Sequence, residues 1–158
     1  MGAPFSFIRR TMEAKYGEEP ENILVRIYVR ETPSEVKLCS PAAVFDEMKE
    51  IGKADQESLW IIMLNTKNMM IRKEMVSLGT IDCANADIRI IFRRLFQYGA
   101  PSFVMCHNHP SGDALPSADD IRLTKKTKDV AELMEFKLVD HIIIGDGGYF
   151  SFVEKNIL

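Results

Sequence analysis

The stretch Ser102-Phe103-Val104-Met105-Cys106-His107-Asn108-His109-Pro110-Ser111-Gly112-Asp113, continued by Ala114-Leu115-Pro116-Ser117-Ala118-Asp119-Asp120, decides how this chain is read. Its apolar first half predicts a strand over 102–107. Two of the 3 histidines of the chain stand at the end of that strand, two positions apart. Alternate residues of a strand project from one face, so both imidazoles reach a single point, and a metal suits that point. The helical zinc motif HExxH is absent. Beyond the loop, Pro116-Ser117 opens a helix that carries Asp119 and Asp120. Two histidines, one carboxylate and a water make the open, catalytic kind of zinc site, and Gly112 with the two prolines suits a loop that folds back over the strand end. A plainer reading stands beside this one, because Ser117-x-x-Asp120 before Ile121 is also a capping box that satisfies helix amides. The joint spacing, HxH, seven residues, then SxxD, is rarer than any of its parts.

Outward from that stretch, helical spacing of Ile88, Ile91, Phe92, Leu95 and Phe96, ended by Gly99 with Pro101 beyond, predicts a helix just before the strand. A further helix is expected over 117–136, followed by a hairpin of strands 138–144 and 149–153 about Asp146-Gly147-Gly148. Upstream, Glu57 to Leu64 and Met69 to Ser77 flank Asn65-Thr66-Lys67-Asn68 and read as a hairpin. Ser40-Pro41 caps a short helix with Val44, Phe45, Met48 and Ile51 on one side, stopping at Gly52. Ile23, Val25, Ile27 and Val29 alternate with Arg26 and Arg30 as in a half-buried strand, and residues 1–22 read as an N-terminal arm, which leaves 23–158 as the domain. The order indicates an α+β domain with a mostly antiparallel sheet packed with helices.

Composition agrees with a soluble globular domain. The chain has 158 residues, 46% hydrophobic and 27% charged, with a net charge of −3, long enough to bury a core without disulfides. The longest apolar stretch, Leu59 to Leu64, falls far short of the ~20 residues of a membrane helix. Cys39, Cys83 and Cys106 are odd in number and form no CxxC pair, which argues against a disulfide framework or a zinc ribbon and fits a reduced, cytoplasmic setting with no signal peptide. Gly2 and Ser6 satisfy a minimal myristoylation pattern, a match that one acyl chain without a basic cluster does not turn into an anchor.

The HxH and SxxD pattern resembles the JAMM signature of the MPN/JAB metalloprotease superfamily, and residues 107–113 with Pro116-Ser117-x-x-Asp120 are similar to its bacterial RadC branch. The similarity extends through Leu64-Asn65-Thr66-Lys67-Asn68, Gly79-Thr80, Arg89-x-x-Phe92, Asp140-His141-Ile142-Ile143-Ile144 and Tyr149-x-Ser151-Phe152, covering about residues 35–158. The resemblance implies an MPN/JAB fold of the three-layer kind shared with cytidine deaminases, and a zinc ion (Zn2+) held by His107, His109 and Asp120. In the family a glutamate lies at the start of a core strand that follows a helix, and Glu57 holds that place here. Glu74 is the alternative carboxylate, although its surroundings match no family element. The activity implied is hydrolysis of an amide bond in a peptide or protein substrate, with Glu57 as general base and Ser117 as oxyanion donor.

Other residues carry less. Cys106 should face away from His107, Asp113 and Asp119 read as solvated or supporting, and His141, inside an apolar strand, reads as a structural histidine, with orientation of a ligand the lesser reading. The ligand sets of a zinc deaminase are missing. RadC-like proteins also carry a DNA-repair label, and Arg89, Arg93, Arg94, Arg122, Lys125, Lys126 and Lys128 could touch phosphates. Solvated helix faces explain these cations better in an acidic chain. Residues 1–22 are too short for the helix-hairpin-helix region of many full-length relatives, so an accessory role in repair through DNA or protein binding is the alternative and not the expectation.

Overall fold

The computed structural model describes residues 36–79 and 87–158. The expected arm, the strand around Ile23–Val29, Thr80 and Cys83 lie outside the described residues. The elements run α1 (Pro41–Met48), a 3-10 helix (Lys49–Lys53), β1 (Ser58–Leu64), β2 (Met70–Leu78), α2 (Ile88–Tyr98), β3 (Ser102–Asn108), α3 (Ala118–Leu133), β4 (Lys137–Gly145) and β5 (Gly148–Ser151). Each of the three α-helices begins where its sequence provides a cap. Ser40 accepts from Ala43 N, Asp87 accepts from Arg89 N, and Ser117 with Asp120 closes a reciprocal capping box. Gly99, at φ 60°, ends α2 in the left-handed conformation that favours glycine. Helix α3 stops sooner than the expected 136, because Glu135 turns left-handed at φ 58° and the chain reverses into β4.

Among the described residues the strands form one mixed sheet in the order β2-β1-β3-β4-β5, in which only the β3–β4 pair is parallel. Period-two alternation sorts the central strands into two faces. Leu59, Ile61 and Met63 of β1 join Phe103 and Met105 of β3 against Ile91, Phe92 and Leu95 of α2 and Leu123 and Ala131 of α3. Ile62 and Leu64 join Val104, Cys106, Ile142 and Ile144 against Val44 and Met48 of α1. The result is the expected α+β architecture, in which the sheet carries α1 on one face and α2 and α3 on the other. Because both faces are covered, the central strands read as apolar runs without alternation, which is why β1 and β3 looked like core in the sequence.

The loop after β3 lies back on the β4–β5 turn. Asp146 N donates to Gly112 O at 2.8 Å, and Gly112 N to His109 O at 2.9 Å. Gly145 is the point of closest approach. A Cβ there would run into Gly112 O and come within 2.8 Å of Ala114 N. Gly145→Ala is therefore expected to lower stability by about 1–3 kcal/mol, the usual cost of forcing packed groups apart. Urea unfolding at unchanged m-value checks this, and a variant as stable as the unaltered chain would show that the loop is not held where described.

Candidate metal centre

The register of β1 on β3 places the site. Leu59 lies opposite His107 and Trp60 opposite Cys106 in an antiparallel pair. Continuing that register past the strand ends sets Glu57 beside His109, and parity puts Glu57, His107 and His109 on the same face. Ligand atoms of these three residues lie within 4.8 Å of one another. Cys106 points the other way, into the α1 side, where burial pushes its thiol far up and makes it a poor ligand.

Asp120 approaches the two histidines from α3. Its Oδ1 stands 3.3 Å from His107 Nε2 and its Oδ2 3.5 Å from His109 Nε2. The capping box and the ligand reading turn out to be compatible, since the box is what aims this carboxylate. Oδ2 accepts from Ser117 N and Ser117 Oγ, both at 2.7 Å, while Ser117 Oγ accepts from Asp120 N at 3.1 Å. Asp119 turns to Arg122 instead, and the Asp113 side chain accepts from Leu115 N.

Asn108, which the sequence reading passed over, sits between the two histidines and projects to the opposite side. It is fully buried. Its Oδ1 accepts from Ser58 N at 2.9 Å and from Ser58 Oγ at 2.8 Å, and its Nδ2 donates to Gln56 O at 3.0 Å. These bonds grip the backbone on both sides of Glu57, and Gly79 N donates to Glu57 O at 2.8 Å. A buried amide in an otherwise apolar strand was the signal for this clamp, because such a group must find partners. Glu74, the alternative carboxylate, is committed elsewhere, to Arg72, Arg94 and Tyr98.

His141 is buried and hydrogen-bonded, as a structural histidine should be, and it also meets the lesser reading, since its Nε2 lies 2.9 Å from His107 Nδ1. Phe152 stacks on it with ring centroids 4.9 Å apart. Buried Asp140 next to it accepts from His141 N, Val153 N and Ser151 Oγ, fixing the chain after β5 onto β4.

The chemistry of the donor set fits a cation. His109 Nδ1 is 2.7 Å from the Asp113 carbonyl oxygen, which can only accept, so the ring proton sits on Nδ1 and Nε2 faces inward. That Nε2 lies 2.9 Å from His107 Nε2. Two ring nitrogens and a carboxylate thus converge on one space that demands a proton or a metal. Burial pushes the His107 pKa down to about 4, against the attraction of Asp120. His109 is raised, first by its hydrogen bond to Asp120. Burial alone would raise Asp120, but His109, His107 and Ser117 together hold it well below the usual carboxylate range. Of the cations considered for phosphate contact, Arg89 pairs with Asp87, Arg94 with Glu74 and Arg122 with Asp119. Among the described residues no helix is long and apolar enough to cross a membrane.

Comparison with known proteins gives a consistent picture. A family model described as RadC-like JAB domain matches residues 38–157. A UPF0758 protein of Clostridium novyi is 40% identical over 132 residues, covering 84% of this chain and 55% of the relative. One from Clostridium kluyveri is 44% identical over 124 residues, 77% of this chain and 54% of the relative. One from Flavobacterium johnsoniae is 38% identical over 122 residues, 77% and 53% of the two chains. The chain spans about half the length of these relatives.

The electrostatics predict an ordering of histidine titrations in the metal-free protein. NMR should find His109 titrating above the ordinary 6.5 and His107 far below it. A raised folded-state pKa stabilises below the unfolded pKa, and that increment is lost as pH rises through the folded value. In Asp120→Asn the His109 pKa should fall, and a His109 titration unmoved by this change would contradict the assigned contact.

Proposed function

The chain belongs to the RadC-like JAB domain family, and on that premise we propose that it is a zinc-dependent hydrolase of amide bonds acting on a peptide or protein substrate. The observation that carries this reading is the convergence of Glu57, His107 and His109 within 4.8 Å, with the Asp120 carboxylate 3.3 Å from His107. His107, His109 and Asp120 would hold the ion. Zinc bound there supplies a Lewis acid for the scissile carbonyl and acidifies a water.

The remaining steps belong to side chains. Glu57 takes the proton of the attacking water on a carboxylate oxygen and delivers it to the leaving amine nitrogen, so one group serves as base and then acid. The Asn108 clamp keeps the Glu57 backbone at the strand end throughout. Ser117 would donate its hydroxyl proton to the oxyanion, for which that proton must leave Asp120 Oδ2, its present acceptor at 2.7 Å.

Elemental analysis should find one zinc per chain, and substitution of both His107 and His109 by Ala should abolish it. Glu57→Gln should retain zinc and lose cleavage of a peptide library, because an amide keeps the shape but cannot accept the proton. Asp120→Asn should lose both, a neutral amide oxygen being the poorer ligand. Ser117→Ala should keep zinc and lose roughly 10²-fold or more in rate, with a loss of about 1 kcal/mol in a thermal melt from the cap. Zinc lost from Glu57→Gln but kept in Asp120→Asn would mean that the two carboxylates have been assigned the wrong roles.

A further inference from the structure

Behind His107 runs a chain of hydrogen bonds whose directions are forced. Thr124 Oγ1 lies 2.6 Å from the Asp120 carbonyl oxygen, which has no proton to give, so the hydroxyl donates to it. The one hydroxyl proton is then spent. The same Oγ1 lies 2.6 Å from His141 Nδ1, and this contact is a hydrogen bond only if Nδ1 carries a proton and donates it. A neutral His141 therefore presents a bare Nε2. His107 Nδ1 stands 2.9 Å from that nitrogen and must be the donor. The proton of His107 is thus fixed on Nδ1, and the lone pair of its Nε2 points at Asp120 and His109. Burial favours neutral rings along this path, for Thr124, His141 and His107 are at most 2% exposed.

We propose that Thr124 and His141 are positioning residues that lock His107 in the tautomer able to bind a metal, and that the lock is set by the backbone carbonyl of Asp120. A ligating histidine ordinarily gives its second N–H to a carboxylate, a carbonyl or water. Here the acceptor is another imidazole, which could equally well present a proton and turn His107 the wrong way round. Thr124 removes that choice. The circuit closes on itself, because Asp120 supplies a carboxylate to the site through its side chain and sets the His107 ring through its main chain. Helix α3 thereby fixes both in one rigid turn, residues 120 and 124 being neighbours on one helix face. His109 reaches the same tautomer by a separate route, its bond to the Asp113 carbonyl.

The consequence for affinity rests on the zinc reading above; the tautomers themselves do not. The test therefore has two parts. Long-range 15N–1H correlation spectra of the metal-free chain, recorded at pH 8 with a chelator present, report which ring nitrogen is protonated. Both His107 and His141 should be Nδ1–H forms. An Nε2–H form of His107 in the unaltered chain overturns the lock without any variant being needed. In Thr124→Val, which removes the hydroxyl at similar shape, His107 should become a mixture of tautomers, and zinc affinity measured by chelator competition should fall roughly 10- to 100-fold. Thr124→Ser should restore both. A Thr124→Val protein that melts lower but keeps the pure Nδ1–H form and full zinc affinity would make Thr124 a packing residue only and overturn the proposal. Correct tautomers in a chain that takes up no zinc would support the lock and defeat the metal reading, so the two can fail separately.

Discussion

Everything in the site follows from the antiparallel register of β1 on β3, with Leu59 opposite His107. A slip of one residue would send every side chain of β1 to the other face and strand Glu57 on the α1 side of the sheet. The register is held from both directions. Inside the sheet, Ile61 and Met63 on one face and Ile62 and Leu64 on the other are fully buried. At the strand ends, the Asn108 side chain bonds Ser58 and Gln56 in place of the next backbone ladder pair. The apolar groups fix which face is which, and the amide fixes where the strand stops.

The second constraint is the cost of burying polar groups. His107, Asn108, Asp120, Asp140 and His141 are all buried, and each buried polar atom left without a partner costs about 1–3 kcal/mol. Here the partners interlock. Asp120 is capped by Ser117, His107 leans on His141, His141 on Thr124, and Thr124 on the Asp120 carbonyl. Such a network favours one geometry strongly because any rotation breaks several bonds at once. The strand end, the start of α3 and β4 are thereby tied into one rigid frame around the inward-facing nitrogens.

Much of this was legible in the sequence, and the limits have physical reasons. HxH on a strand gave both rings on one face from pleating alone, and Ser40-Pro41, Gly99 and Ser117-x-x-Asp120 marked helix ends through local bonding that needs no tertiary information. Glu57 could be placed only through a resemblance, because its position depends on the pairing of β1 with β3, which β2 and α2 separate in sequence. For His141 the orientation of a ligand stood only as the lesser reading, because an apolar strand hides which neighbour a buried ring will meet. That meeting depends on the parallel pairing of β3 with β4, in which Met105 lies beside His141 and His107 beside Ile143. Strand β5 was expected to run to Val153 but ends at Ser151, since Asp140 captures the Val153 amide and turns the chain.

X-ray absorption at the zinc edge of the loaded protein tests the central claim most directly, since it reads the atoms around the ion and no substitution is needed. The account predicts a nitrogen and oxygen shell near 2.0–2.1 Å with the multiple-scattering pattern of two imidazoles. A sulfur shell near 2.3 Å, or an all-oxygen shell without imidazole scattering, would contradict it.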